Sequence, residues 1–379
     1  MVPQKRCFVF YPSVSTFGGI ERLIVDLTCF LNKRGQDLTL IAFQNAVDFA
    51  QYGAEGLKIQ TLPCRRNLRS EVAAFSRFVQ QHDIRSSQIL AMEMRGAMYA
   101  GMALPAGYSL HIADPPGLLP NDLTKYSFSL ARNYPERKID CSLATRARGQ
   151  FIHWLTRRGV RKARHAITMT QRNVEELHAA YGVEFSKVPP GVRIPNAVSR
   201  KSKSNGPIRF LSVCRLEKSK RIDAIIRALA ALVKDRQTDS RSEMTLQIVG
   251  EGSQAEHLKD LSRNCGIESL VEFAGLVSDE ELEKAYAESD IFVMPAKQGY
   301  GLPGLESLAR GLQLIVHRES GVTEFLTNTP QVQIIDNVDS SLTEAMKQAA
   351  LMAKKSHHDT PSVPTSDEWA SRIVQLAGW

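Results

Sequence analysis

The sequence predicts an α/β protein with two doubly wound domains, and three observations support this prediction. Short apolar strands alternate with amphipathic helices along almost the whole chain, which is typical of parallel sheets. The length of 379 residues exceeds what one ordinary core accommodates. The polar, basic stretch "RIPNAVSRKSKSNGP" interrupts the alternation and has the composition of a linker. We therefore expect a first domain over 1–195, a linker over 196–206 and a second domain over 207–360.

The first domain begins with "RCFVFY", a predicted strand, followed by a helix over "GGIERLIVDLTCFLNKRG". In that helix, apolar residues from Ile20 to Leu31 recur at i, i+3, i+4 and i+7. Gly35 is expected to end the helix, and "DLTLIAF" is the next strand. Further strands are predicted at "QILAME", "YSLHIA" and "RHAITM".

The second domain repeats this order of elements. "IRFLSVC" predicts a strand, and the apolar residues from Ile222 to Val233 have helical spacing. The strands predicted after that helix are "MTLQIVG", "LVEFAG", "DIFVMP", "LQLIVH" and "VQIID". Residues 361–379 contain a last amphipathic helix with Trp369 and Ile373 on one side. It either caps its own domain or crosses back to the first domain, and we expect the crossing.

Composition and charge narrow the class of protein. A hydrophobic share of 43% and a charged share of 23% are typical of an ordinary soluble globular protein. No run approaches the roughly 20 apolar residues of a membrane helix, and the amino terminus resembles a first strand more than a secretory signal. The six scattered cysteines lack metal-binding spacing, which favours a reduced cytosolic compartment. The formal charge of +8 favours anionic partners.

Candidate site residues cluster after the strands of the second domain, where ligands of open α/β sheets bind. Arg215 and Lys220 follow "FLSVC", and Gly250 and Gly252 follow "QIVG". Arginine can hold two phosphate oxygens, lysine adds a point charge and a helix N-terminus adds positive potential, so these residues fit a diphosphate. The alternatives are a solvated basic turn for the two cations and plain turn geometry for the two glycines.

The loop in "KQGYGLPGLESLARG" follows "DIFVMP" and strengthens the case for a ligand. Gly299 and Gly301 free the backbone, and a helix is expected to begin at about Pro303. Its unpaired N–H groups would then lie at the same edge of the sheet. Glu306, in the first turns of that helix, could reach the vicinal hydroxyls of a ribose, or could simply stabilise the helix N-terminus.

These motifs, together with "GGIERLIVDL", "AITMTQRNVEELHAAYG" and "EFAGLVSDEELEKAYAESDIFVMPA", resemble the retaining family-4 glycosyltransferases (glycosyl transferases group 1). The resemblance covers most of the chain. It implies the GT-B fold, in which two doubly wound Rossmann-like domains face each other across a cleft. It also implies a nucleotide diphosphate sugar as the donor.

The resemblance implies a role for each matching residue of the second domain. Glu306 would hold the ribose, Leu276 would lie beside the base, and Arg215 and Lys220 would stabilise the departing diphosphate. Gly250 would add to the nucleotide-sugar site. The donor sugar and phosphate would contact the backbone over four residues, Gly299, Tyr300, Gly301 and Leu302.

The resemblance also implies two contacts from the first domain and shows one departure. Gly19 would face the diphosphate across the cleft, and His111 in "SLHIADPPG" would lie near the donor sugar, although a histidine at a strand end is more often structural. The family has a Glu-x7-Glu pair, and this chain has Gln298 in place of the first Glu. Glutamine hydrogen-bonds sugar hydroxyls but carries no charge to stabilise a cationic sugar.

The predicted function is transfer of a hexose-like sugar to an acceptor hydroxyl with retention, catalysed by Arg215, Lys220, His111 and Gln298. No metal or other cofactor is expected, because no Asp-x-Asp occurs near the site. The resemblance favours bacterial envelope polysaccharide or glycolipid synthesis in the cytoplasm. Residues 132–172 are rich in arginine and aromatic residues, which fits either peripheral contact with an anionic membrane or a solvated helix face.

Three rival functions remain open. The first is a catalytically impaired nucleotide-sugar-binding protein, for which Gln298 would be the mark. The second is a nucleotide-sugar epimerase of similar architecture. Nucleic-acid binding is the third and is not expected, because the cations do not lie on a recognised reading module.

Overall fold

The structure is a computed structural model that describes residues 6–114, 142–193, 206–235, 244–326, 329–353 and 362–379. The chain divides into two compact units. The first unit comprises Met1–Pro190 together with Ser366–Trp379, and the second comprises Gly191–Thr365. The predicted linker falls almost entirely outside the described residues.

The first unit is built on a parallel sheet. Its strands, including two short ones outside the main sheet (β2 and β4), are β1 (Cys7–Phe10), β2 (Ser13–Val14), β3 (Leu38–Ala42), β4 (Gln44–Asn45), β5 (Lys58–Thr61), β6 (Ile89–Met92), β7 (Ser109–His111), β8 (His165–Thr168) and β9 (Ser186–Lys187). The main sheet has the order β5-β3-β1-β6-β7-β8-β9. The chain order reverses between β1 and β6, as in doubly wound folds.

Helices cover this sheet, and the last helix of the chain is among them. They are α1 (Gly19–Asn32), α2 (Leu68–Gln81), α3 (Glu93–Ala103), α4 (Leu143–Lys162), α5 (Gln171–Tyr181) and, from the end of the chain, the helix Ser366–Ala377. In the core, Phe10 of β1 stacks on Phe75 of α2 with ring centroids 3.8 Å apart. The last helix packs on α1, where Asp367 forms an ion pair with Lys33 at 2.9 Å.

Two glycines allow α3 and α4 to approach closely. A Cβ added at Gly159 of α4 would lie 1.9 Å from the Ala97 carbonyl oxygen, and one at Gly101 of α3 would lie 2.4 Å from the Gly159 Cα. Because both neighbours are backbone atoms, neither position has room for a side chain. The helix pair therefore depends on glycine at both positions.

The second unit contains a six-stranded parallel sheet. Its strands are β10 (Ile208–Val213), β11 (Met244–Val249), β12 (Val271–Gly275), β13 (Ile291–Met294), β14 (Gln313–His317) and β15 (Val332–Ile335). Their order is β12-β11-β10-β13-β14-β15, so the chain order reverses between β10 and β13. This is the order of a dinucleotide-binding Rossmann sheet.

Helices pack on this second sheet. They are α6 (Ile222–Lys234), α7 (Ala255–Asn264), α8 (Asp279–Glu288), α9 (Leu302–Ala309), α10 (Thr323–Leu326) and α11 (Val338–Ala353); the last helix of the chain is then α12 (Ser366–Ala377). The core joins α6 and α11 to β10, β11 and β13 through buried residues such as Phe210, Ile225, Ile248 and Met346.

The eleven strands predicted from the sequence all occur, and the α/β fold class is confirmed. The prediction missed β2, β4, β5 and β9, each of which contains at most one apolar residue; β5 and β9 also lie at the edges of the main sheet. Val233 was assigned to the apolar stripe of its helix, but its side chain is 46% exposed.

Candidate functional site

The carboxyl ends of β10 and β13 flank the reversal point of the second sheet, where ligands of doubly wound folds bind. The two strands pair directly, with Phe210 beside Ile291. Arg215 and Lys220 follow β10, and the glycine-rich loop follows β13. The topology therefore brings the predicted cations and the predicted loop together.

Lys220 and Gln298 contact each other across this point. Lys220 ends a 3₁₀ turn, and its Nζ donates to Gln298 Oε1 at 2.5 Å. A hydrogen bond from an ammonium group is stronger than one between neutral groups. Because a glutamine amide is neutral, this bond orients the lysine without neutralising its charge.

Arg215 adds a second positive charge to the same turn. Its side chain is exposed and forms no ion pair within the described part of the chain. Burial raises the pKa of the neighbouring Cys214 thiol to about 11, while the charges of Lys220 and Arg215 oppose that rise. The positive charges of Lys220 and Arg215 therefore both reach the carboxyl end of β10. A position with two nearby positive charges favours an anion.

Gly250 and Gly252 hold the turn after β11 against the turn after β10. A Cβ at Gly250, whose φ is +128°, would lie 2.0 Å from the Cys214 carbonyl oxygen, and one at Gly252 would lie 2.4 Å from that of Leu216. The Leu216 N–H donates to the Glu251 carbonyl at 2.8 Å. The close packing of the two turns therefore requires glycine at both positions. The predicted ligand contact of Gly250 stays a prediction.

The glycine-rich loop is fixed by the segment after β14. The Val322 N–H donates to the Tyr300 carbonyl at 2.9 Å, and Ser320 Oγ donates to the Ala296 carbonyl at 3.2 Å. Tyr300 is buried, and this burial, with a smaller effect of Glu324, raises the pKa of its phenol. The loop therefore presents backbone groups, rather than the Tyr300 hydroxyl, to any ligand.

Helix α9 begins immediately after this loop. Gly301, with φ +106°, is its N-cap, and a Cβ there would lie 2.7 Å from the Met294 methyl group. Leu302 and Pro303 form the first turn, as the prediction of a helix from about Pro303 requires. The N-terminus of α9, which carries partial positive charge, thus lies at the carboxyl edge of the sheet.

Glu306 lies in α9 and is 9% exposed. Its Oε2 accepts a hydrogen bond from the Tyr286 hydroxyl of α8 at 3.0 Å. Leu276, predicted to lie beside the base, follows β12 and is 74% exposed. A large exposed apolar side chain at this edge provides a surface for a flat ring, and the ligand contacts of Glu306 and Leu276 stay predictions.

Gly19 and His111 belong to the first unit. Gly19 opens α1, is exposed, and a Cβ there would have no neighbour within 4 Å. His111 ends β7 and is fully buried, and burial lowers its pKa to about 4. Its ring meets Trp369 of α12 edge to face at 6.1 Å, and neither ring nitrogen has a hydrogen-bond partner among the described residues. Contact with a donor sugar would require this ring to become accessible, so that role stays a prediction.

Sequence reasoning missed several residues around these positions. Tyr286 contacts Glu306, and nothing in the sequence around Tyr286 indicated that contact. Among the described residues, three that are not glycine adopt positive φ: Asp83 at +48°, Glu93 at +64° and Arg221 at +56°. Nothing in the residue pattern indicates these conformations.

Among the described residues, no group of three or more His, Cys, Asp or Glu side chains is placed to hold a metal ion. None of the described helices is both long and apolar enough to cross a membrane.

Both units contain a doubly wound, Rossmann-like sheet, as the GT-B fold requires, and comparisons with known proteins agree. Residues 195–359 match the family described as "Glycosyl transferases group 1". The chain therefore carries a group 1 glycosyltransferase domain, and the resemblance drawn from its motifs is confirmed at that level.

A curated relative, the D-inositol 3-phosphate glycosyltransferase of Nocardiopsis dassonvillei, is 30% identical over 181 residues, which are 43% of this chain and 42% of that protein. The chain thus spans less than half the length of this relative in the match. Two solved structures share the fold over nearly the whole chain. WaaG, a glycosyltransferase involved in lipopolysaccharide biosynthesis, has a TM-score of 0.66 at 15% identity and covers 98% of this chain and 95% of its own. Anabaena HepE in complex with UDP-glucose has a TM-score of 0.64 at 15% identity, covering 98% and 97%.

Proposed function

We propose that this chain is a retaining, metal-independent glycosyltransferase that moves a hexose-like sugar from a nucleotide diphosphate sugar to an acceptor hydroxyl. The observation that carries the proposal is the 2.5 Å contact between Lys220 and Gln298 at the reversal point of the second sheet. It joins a cation suited to phosphate to an amide suited to sugar hydroxyls. The bond to be broken in such a donor lies between those two parts.

The proposed reaction breaks the bond between the anomeric carbon and the diphosphate oxygen. The electron pair leaves with the diphosphate, where Lys220, Arg215 and the N-terminus of α9 stabilise the new negative charge. The acceptor oxygen bonds to the anomeric carbon on the face that the diphosphate leaves. Its proton passes to a phosphate oxygen of the leaving group, so the reaction needs no side-chain nucleophile.

Other predicted site residues would contact the remaining parts of the donor. Glu306 would bind the ribose hydroxyls, Leu276 the base, and the backbone from Gly299 to Leu302 the sugar and phosphate. Gly250, Gly19 and His111 keep the roles that the family resemblance implies. HepE was solved with UDP-glucose, which supports a nucleotide diphosphate sugar as the class of donor.

The acceptor is proposed to be a glycan or a lipid-linked sugar of the bacterial envelope, with the protein working in the cytoplasm at the inner face of the membrane. The relationship to WaaG, which is involved in lipopolysaccharide biosynthesis, supports this choice. So does the exposed face of α4 that is described below.

One observation favours a second function, binding of a nucleotide sugar without transfer. Gln298 is neutral where the resemblance predicts a carboxylate, and its amide is engaged by Lys220. Incubation with a donor sugar and an acceptor distinguishes the two functions. Release of the nucleoside diphosphate supports transfer, whereas binding without release supports the second function.

Nucleoside diphosphates are expected to stabilise the protein in EDTA. Thermal unfolding with UDP, GDP, ADP and dTDP should show one that raises the transition midpoint. At a hundred times its Kd it adds about 2.7 kcal/mol to the free energy of unfolding. Arg215→Ala should reduce this gain because it removes a phosphate contact. Arg227→Ala, on the exposed face of α6, is the matched control and should keep the full gain. A diphosphate that protects the Arg215 variant as well as the wild type would contradict the site.

The outer face of α4, defined as Leu143, Ala147, Phe151, Trp154, Arg158 and Arg161, is proposed to contact the membrane. Phe151 and Trp154 are 54% and 53% exposed and stack with ring centroids 6.2 Å apart. The opposite face buries Leu155 and Val160 in the core. A helix that only covers a core has no need of exposed aromatic rings beside arginines, whereas an anionic bilayer surface attracts both.

Arg158→Glu is expected to weaken binding to acidic vesicles. The reversal changes two charges, each worth about 1 kcal/mol near an anionic surface, so the partition constant should fall roughly thirtyfold. Sedimentation with phosphatidylglycerol vesicles measures this, and phosphatidylcholine vesicles show the background. Arg77→Glu makes an equal charge change on the exposed face of α2 and should lower the partition constant much less. Equal losses in the two variants would mean that only net charge matters and that α4 is not the contact.

A further inference from the structure

The carboxylate of Glu306 is oriented by a hydroxyl from a different helix. Tyr286 of α8 is completely buried, and its hydroxyl donates to Glu306 Oε2 at 3.0 Å. The Tyr286 ring lies 6.0 Å from the ring of Phe292 on β13, centroid to centroid. The position of the hydroxyl is therefore set by the core and not by solvent.

A buried arginine holds this tyrosine in place. The Arg310 guanidinium lies 4.8 Å from the centre of the Tyr286 ring, within the range of a cation–π interaction. Its Nη1 donates to the Glu306 carbonyl at 2.8 Å, and its Nε donates to a Glu283 carboxylate oxygen at 2.7 Å. The Arg310 side chain is 6% exposed. Glu283, Arg310 and Tyr286 thus form a brace between α8 and α9 that ends at Glu306.

Such a brace has a consequence for ligand binding. A glutamate side chain that moves freely loses rotamer entropy when it binds a diol, and fixing it beforehand removes that loss. A hydrogen bond to a charged group contributes about 1.5–3 kcal/mol, enough to hold one rotamer. A neutral hydroxyl can hold this rotamer without itself forming an ion pair with the carboxylate.

We propose that Tyr286 is a positioning residue whose hydroxyl, held by Arg310 and Glu283, orients the Glu306 carboxylate toward the two ribose hydroxyls of the donor nucleotide. The inference rests on the proposed function, in which Glu306 binds the ribose hydroxyls of the donor. It predicts that loss of the brace weakens the binding of nucleotides that carry both ribose hydroxyls and leaves the binding of dideoxynucleotides unchanged.

Tyr286→Phe tests this by removing one oxygen atom. The probes are UDP, GDP and ADP with their 2′,3′-dideoxy counterparts, titrated calorimetrically. The variant is expected to bind the best ribonucleoside diphosphate about tenfold more weakly and its dideoxy counterpart with unchanged affinity. In a Glu306→Gln background, the same substitution should cause no further loss. Tyr108→Phe, which removes a buried hydroxyl bonded to the Gly159 carbonyl in the first unit, is the control and should leave both affinities unchanged.

Each outcome has a distinct meaning. Equal weakening of the ribose and dideoxy compounds would reduce Tyr286 to a structural residue, and unchanged ribonucleotide binding would overturn the orientation by its hydroxyl. If the wild type binds none of the diphosphates, the proposed function fails together with the inference. If Tyr286→Phe does not fold, Arg310→Lys replaces it, because lysine keeps the charge but loses the planar stacking on the ring and the paired hydrogen bonds. It should show the same selective loss, and an equal loss for both compounds would reject the brace.

Discussion

Lys220→Ala is expected to lower the turnover of sugar transfer by about a hundredfold to a thousandfold, the effect of losing one preorganised donor to a developing anion. The ammonium group is held at the reversal point of the sheet by Gln298, 2.5 Å away, and is therefore in place before the bond breaks. The corresponding rise in the activation barrier is about 2.7–4 kcal/mol. Turnover is measured at saturating donor as release of the nucleoside diphosphate, so that a weaker donor affinity does not enter the comparison.

Lys218→Ala is the matched control for this experiment. Lys218 begins the same 3₁₀ turn, is exposed, and is only two positions away in sequence. Both variants lose one positive charge from the same turn, so a general electrostatic effect would lower both turnovers alike. We expect Lys218→Ala to retain most of the activity. Near-normal turnover in Lys220→Ala, with an unchanged unfolding midpoint, would remove Lys220 from the mechanism.

Gly250→Ala is expected to lower the free energy of unfolding by about 3 kcal/mol or more. Two effects combine at this position. The φ of +128° is one that alanine rarely adopts, and the new Cβ would lie 2.0 Å from the Cys214 carbonyl oxygen. Because that oxygen belongs to the backbone turn that carries Arg215 and Lys220, relief of the clash should also displace both cations. We therefore expect weaker binding of nucleoside diphosphates as well, measured by titration below the unfolding transition.

Gly266→Ala separates these two effects. Gly266 also has a positive φ, +71°, but a Cβ there would have no neighbour within 4 Å. Its substitution should lower stability by about 1–2 kcal/mol, the strain of the left-handed conformation alone, and leave nucleotide binding unchanged. Urea unfolding of both variants measures the difference. If Gly250→Ala is no more destabilising than Gly266→Ala, the close approach of the two turns does not contribute to stability.

The fold was predictable because its central strands are buried on both faces. β1, β6 and β13 are fully buried, and such strands appear in the sequence as short continuous apolar runs between amphipathic helices. The edge strand β5 has no buried residue among Lys58–Thr61, so its composition does not differ from that of a loop. Its position follows only from pairing with β3.

The candidate site was partly predictable for a related reason. Parallel strands in one sheet end at the same edge, so residues that follow "FLSVC" and "DIFVMP" were expected to meet. Lys220 and Gln298 do meet. Tyr286 was not predictable, because an aromatic residue on the apolar face of a helix has the pattern of any core residue, and its hydroxyl finds Glu306 only when α8 packs beside α9.

His111 shows the same limit in the first unit. The family resemblance implied that His111 lies near the donor sugar, whereas the ring packs against Trp369, far away in sequence. No local pattern records which distant segment covers a strand end. The burial of this histidine, and with it the low pKa, is a property of the packed unit.

By itself, the sequence determined the α/β class, the two-domain organisation and the central strands, and the resemblance of its motifs to a known family indicated a glycosyltransferase. The first three depend on the local spacing of apolar residues, glycines and charges, which the chain carries before it folds. Only the tertiary structure decided the Lys220–Gln298 contact, the Glu306–Tyr286–Arg310 brace, the burial of His111 and the closeness of Gly250 to Cys214. These depend on distances between atoms of segments that are remote in sequence, and such distances are set by how helices and turns pack on the sheet.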